Sequence, residues 1–435
     1  MFSYTKNGIV LSEAAVPASP PTISARFFID YGLGITEGPA RLATAPVSTN
    51  TGFAIVNPAN KTAHVTYTLS NMQGQLLATG HGNLDPGSHH AKFIDQMQEL
   101  ASDFILPAGF SQTMRFGSLQ IDSDQALSIT ALRMLTNQRC DILYTSLPIA
   151  DLTQSPSSSE IYFPHLGDGG GYTTSLILLN TSGATQTGKL RFYADDGSPL
   201  SVGSLNGGTD SAFNYSIPAG GTYLLQTDGF PAVVQVGSAR LTPDAGSTAP
   251  VGAGIFSYTN NGYLMTETGI PSSAATTHAR VFVDMTGNHD AGLAIAAIGS
   301  LPLSIKLQAY QSDGITPAGD KSATQDLAGN GHKARFAWEW ISGLPSGFRG
   351  VLDISSATPF AALTLRTLTN QRSDYLLTTL PVADMTRSAP APLIFPHLAD
   401  GGGYQTEWIL LGTGNAARIL MNFFGPDGSP LAIAR

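Results

Sequence analysis

Two loops of the 435-residue chain carry the residues best suited to holding a ligand. Asp168–Tyr172 and Asp400–Tyr404 both read Asp-Gly-Gly-Gly-Tyr. Three glycines in a row allow a ligand close to the backbone, and Asp168 and Asp400 would each offer a carboxylate to a metal, with Ca²⁺ the natural candidate. Ca²⁺ takes about six to eight oxygens, however, and each loop supplies one carboxylate without a D-x-D-x-D-G pattern. The same residues also serve as an ordinary Gly-rich connection between strands, with the tyrosine packed at a sheet edge.

The second candidate is aromatic. Phe336, Trp338 and Trp340 lie in Phe-Ala-Trp-Glu-Trp, and two tryptophans at i and i+2 would make a platform for sugar rings on a strand. On a helix they would diverge by about 200° and pack elsewhere, at the end of a core. His165 and His397 recur in Phe-Pro-His-Leu without a second ligand at metal spacing, which favours an edge histidine bonded to neighbouring backbone. His89-His90 and His289-Asp290 read as exposed turns. Asp195-Asp196-Gly197-Ser198 and Pro426-Asp427-Gly428-Ser429 fall where hairpin turns use Asp-Gly. Cys140 stands where the matching turn has Ser373 and reads as a passive thiol. The chain has no Gly-x-Ser-x-Gly elbow, His-Glu-x-x-His helix or Walker loop. No residue is assigned a catalytic role, and no cofactor is expected.

Composition narrows the partners. Charged residues make up only 12% of the chain and the net charge is −9, so no basic surface exists to neutralise nucleic acid. No apolar run approaches the ~20 residues of a membrane-spanning helix. A single cysteine excludes a disulfide framework and a Cys-based zinc site.

The elements that must position these residues come in repeats. Phe163–Tyr172 (FPHLGDGGGY) returns as Phe395–Tyr404 (FPHLADGGGY), a shift of 232. TNQR at Thr136–Arg139 returns at Thr369–Arg372, a shift of 233. Phe2–Pro17 matches Phe256–Pro271 at eight of sixteen positions. A weaker half-repeat places GSLQI from Gly117, GSARL from Gly237 and GVLDI from Gly350 at spacings of 120 and 113. One unit is therefore about 115 residues, in two alternating subtypes.

Alternation such as Val65-Thr66-Tyr67-Thr68-Leu69 has the period of an antiparallel strand with one wet face. Asn7-Gly8 and Asn261-Gly262 supply the positive φ of tight hairpins. About seven short strands per unit indicate an all-β chain of tandem immunoglobulin-like β-sandwiches. The expected division is a sandwich over 22–153 with an insertion near 35–50, a second over 158–273 and a third over 276–387. Residues 1–19 read as the closing hairpin of a partial unit, and 391–435 as the opening strands of another. Those partial units are expected to leave apolar strand faces uncovered, as in an internal piece of a longer reading frame. Short helices are expected at Phe93–Leu100 and Phe336–Ile341.

The ARFFID and ARVFVD strands, the GLAI-type strand, the LLTTLPVAD hairpin and the FPHLADGGGY unit together resemble tandem β-sandwich repeats of large secreted or surface proteins from environmental bacteria, acidobacterial ones among them. The resemblance covers nearly the whole chain and brings no catalytic residue. It implies an extracellular or cell-surface location and a non-catalytic role as spacer or adhesion stalk. Its rival is a carbohydrate-binding accessory region of a larger secreted hydrolase, with Phe336, Trp338 and Trp340 as the contact. A hydrolase with its residues gathered at a junction, and linkers stiffened by Ca²⁺, are further alternatives. Glycans or other surface proteins are the partners these readings imply.

Overall fold

The computed structural model describes every residue except 37, 39–41, 43–44, 389–391, 413–418 and 432–435. The start of the expected 391–435 unit and part of the 35–50 insertion lie outside the described residues. The chain is all-β, its antiparallel sheets packed face to face in sandwich fashion.

The apolar alternation builds one element twice. Phe116–Thr136 is a single long strand whose first half pairs with Thr22–Asp30 and Ala63–Asn71. Its second half pairs with Val47–Val56 and Ile142–Leu147. It thus passes from one sheet to the other, and the residues between the halves, Asp124 and Ala126 among them, are exposed. Arg349–Thr369 repeats this, between Thr276–Asp284 and Leu303–Gln311 and then between His289–Ala297 and Tyr375–Leu380. Between them the crossing strand is broken into Gln235–Pro243 and Val251–Asn260. Pro243, Gly246 and Pro250 lie at this break, and proline has no N–H to continue a ladder.

Each of these segments has a buried cluster of its own, centred on residues such as Phe27, Phe53 and Leu119, on Phe163, Phe192 and Leu241, and on Val281, Ile305 and Leu352. The clusters are not sealed from one another. Ile177, Leu179 and Ile255 join the first, and Phe256, Ile270, Leu363 and Leu377 form a satellite bridging two segments. A 3-10 turn at Ile94–Glu99 and an α-turn at Ala337–Trp340 plug the sandwich ends where short helices were expected. A π-turn at Phe110–Met114 carries no periodicity that would have announced it.

The two ends of the described chain meet. Phe2, Ser3 and Tyr4 pair with Thr406, Gln405 and Tyr404, the register in which Phe256, Ser257 and Tyr258 pair with Thr174, Thr173 and Tyr172. The expected uncovered face is only partly found. Phe2, Ala14 and Val16 are buried against Tyr144, whereas Ile419, Leu420 and Phe424 are exposed.

Four hairpin strands then gather around one axis. Ile9–Ala14 lies against Ile142–Leu147, which lies against Tyr263–Pro271, then Tyr375–Leu380, which returns to Ile9–Ala14. Side chains rather than ladder bonds join them. The Tyr144 and Leu377 amides donate to Ser12 Oγ and Thr266 Oγ1 at 2.8 and 3.0 Å. The buried Ser and Thr residues of these strands therefore satisfy backbone groups that the hairpins leave free.

Candidate functional site

The first triple-glycine loop is pressed against protein backbone along its length, and the second meets backbone at Gly403, with Gly401 and Gly402 open. Gly169, Gly170 and Gly171 have φ of +91°, +59° and +92°, and a Cβ on Gly171 would stand 2.4 Å from the Thr259 carbonyl oxygen. The Thr259 amide donates to the Gly171 carbonyl at 2.9 Å, and Thr5 does the same to Gly403 at 2.7 Å. Asp168 is buried and accepts from the Gly229 amide at 2.7 Å. Asp400 is exposed at the rim of a cleft described below. The two carboxylates therefore sit in different settings. Among the described residues, no group of three or more His, Cys, Asp or Glu side chains converges to hold a metal.

The two tryptophans do not form one platform, because their segment is helical. Trp340 points into the core, 1% exposed, and donates to the Leu293 carbonyl at 2.9 Å. Trp338 faces outward, 47% exposed, and its indole donates to Asp290 at 3.1 Å. Phe336 lies nearly parallel to it, at 5° and 6.1 Å between centroids.

His165 is buried on an edge strand, but its partner is not backbone. Asp195 accepts from His332 Nδ1 at 2.7 Å, which leaves His332 Nε2 to accept from His165 Nδ1 at 3.1 Å. Burial, and then His332, push the His165 imidazole down to about 3. The repeat holds the same contact, His397 Nδ1 lying 3.3 Å from His89 Nε2. Both ring pairs are stacked, at 5.2 and 5.4 Å. His89, expected on an exposed turn, is pushed down to about 4 by burial, then by His397. Asp196 and Asp427 accept from the serine two residues on, so their turns use a side-chain cap beside one positive-φ glycine.

The charged groups that the sequence reading passed over lie at the junctions. Arg133 is buried between Asp30, to which its Nε donates at 2.7 Å, and Glu267. Burial alone would raise the Asp30 carboxyl, but Arg133 and Arg115 outweigh it and hold it at about 2. Arg366 repeats the arrangement, donating to Glu13 at 2.8 Å and to Asp284 at 3.4 Å. The two TNQR turns face each other. Arg139 donates to Asp374 at 3.1 Å, and Arg372 donates to Asp141 at 2.6 Å. Cys140 is exposed on the first turn with φ of +58°, matching Ser373 at +61°. A single arginine within an apolar strand, repeated 233 residues later, was the signal for Arg133 and Arg366.

One junction stays open. A cleft of about 760 Å³ is bounded by Val10, Glu13, His289, Arg366, Gln371 and Asp400. A shallower depression of about 380 Å³, holding Asp290 and Trp338, shares Gly287 and His289 with it. Glu13, 3.9 Å from His289, raises that imidazole above its ordinary value, against burial. The sister junction is filled. There Leu264 and Leu135 pack with Val47 and Ile35, and Ile35 ends the inserted strand Gly32–Ile35. Asn137 donates to Leu264 O as Asn370 donates to Val10 O, so Val10 and Leu264 occupy related places.

No known protein family and no curated protein matches the chain. Among solved structures, one match is the crystal structure of Streptomyces avermitilis alpha-L-rhamnosidase complexed with L-rhamnose, at 8% identity. The alignment covers 83% of this chain and 45% of that one, with a TM-score of 0.16, too low to carry an argument.

Proposed function

We propose that the chain is a non-catalytic, secreted or cell-surface β-sandwich protein that serves as a spacer and adhesion module. In this reading the strand sets within 22–153, 158–273 and 276–387 are tandem immunoglobulin-like units. What supports it is how the repeated charges are used. Arg133 and Arg366 each tie two buried carboxylates across a junction, and Arg139 and Arg372 tie the facing turns reciprocally. The repeated polar chemistry holds segments together instead of converging on a reacting atom. The chain would then act as a stiff block within a stalk.

Fractionation of cells that make the protein, followed by immunodetection, tests the location. Recovery in the outer surface or medium is expected; a cytosolic pool contradicts it.

A further inference from the structure

We propose that the open junction is a saccharide-binding groove, running from the cleft between Glu13, Arg366 and Gln371, past His289, to the outward face of Trp338. This goes beyond the scaffold reading, which stands or falls on other observations.

The first observation is asymmetry. The two junctions have the same buried chain of acid, arginine and acid. One is closed by Ile35 of the inserted strand. The other keeps its equivalent surface, Val10 and Leu368, as cleft wall. A fold that closes one copy with an insertion and leaves the other as a 760 Å³ concavity has space of the size small ligands use.

The second is the chemistry of the walls. Arg366 is almost fully buried, donating to Glu13 and Asp284; among the described residues its Nε, which solvent does not reach, has no hydrogen-bond partner. His289 Nδ1 donates to the Thr286 carbonyl at 3.1 Å, leaving Nε2 to face Glu13 and the cleft. Asn288 and Gln405 add amides, Gln371 adds an amide whose Oε1 already accepts from the Val10 N–H, and Asp400 adds a carboxylate beside Glu13 and Glu407, which are paired with Arg366 and Arg349. This mixture does not select a phosphate or a cation. It suits a ligand whose hydroxyls both donate and accept.

The third is the flank. Trp338 is held in place by Asp290 on its N–H and lies in the depression that meets the cleft at Gly287 and His289. An exposed indole fixed by a carboxylate offers a flat face to the C–H side of a pyranose. Cleft and indole together describe a site for a neutral oligosaccharide, one ring in the cleft and a further ring on Trp338.

The test uses the full chain. It is screened on a glycan array and titrated calorimetrically with cello-, xylo-, manno-, laminari- and malto-hexaose. We expect at least one of these neutral glycans to bind, Trp338→Ala to weaken it about tenfold, and Asn288→Trp, which fills the cleft, to abolish it. Both variants should keep the parent melting temperature, since Trp338 and Asn288 lie outside the core clusters. An array and titrations without binding would overturn the proposal. So would binding that neither substitution changes, which would place the sugar elsewhere.

Discussion

At the scale of single residues, the buried arginines decide more than any candidate ligand. Arg133 lies between two carboxylates in a region of low dielectric, where removing one partner leaves charge uncompensated. Arg133→Met should therefore cost about 3–5 kcal/mol, read by urea denaturation. Arg139→Ala, at a half-exposed pair, should cost about 1 kcal/mol or less. The histidine pairs give a pH dependence of definite sign. His165 titrates near 3 in the folded chain and near 6.5 when unfolded. Between those values the unfolded chain binds the extra proton, so stability falls as pH drops from about 6.5 toward 3, by about 1.4 kcal/mol per unit for this group. Asp30, held at about 2, adds to that fall only below about 4. His165→Phe should flatten the slope between pH 6 and 4 in unfolding titrations; an unchanged slope would remove His165 as its source.

At the scale of elements, the sequence was most informative where a pattern is local. The alternating strands, the Asn-Gly hairpins and the one-turn helices could be read because period and turn chemistry are fixed by neighbouring residues. Asn7, Gly8, Asn261 and Gly262 all have positive φ, as the turn requires. What escaped was set by contacts distant along the chain. Nothing near Arg133 reveals Glu267, and nothing near His165 reveals His332. The triple-glycine loops looked like a site because glycine has the same meaning for a ligand and for a neighbouring backbone. Their close contact with Thr5 and Thr259 makes a specific prediction. Gly171→Ala would drive a Cβ to 2.4 Å from a carbonyl oxygen at a φ of +92°, and should cost about 2 kcal/mol or more in chemical denaturation. Adding calcium or a chelator should leave the parent's melting temperature where it was, since the one buried loop carboxylate already accepts from Gly229.

At the scale of the whole molecule, the four hairpin strands draw the β-sheet segments into a closed arrangement. Phe2–Lys6 pairs with Tyr404–Thr406, and the hairpin of the first residues reaches Arg366, Asn370 and Thr378. Repetition in the sequence does not reveal this closure, because a repeat period says nothing about whether successive segments run straight or turn back. The central claim is that the segments lock together through the junction charges and the four gathered strands. Small-angle X-ray scattering of the purified chain tests it most directly. A closed body of this length should have a radius of gyration of about 22 Å. A substantially larger radius, with the elongated distance distribution of sandwiches strung end to end, would contradict it.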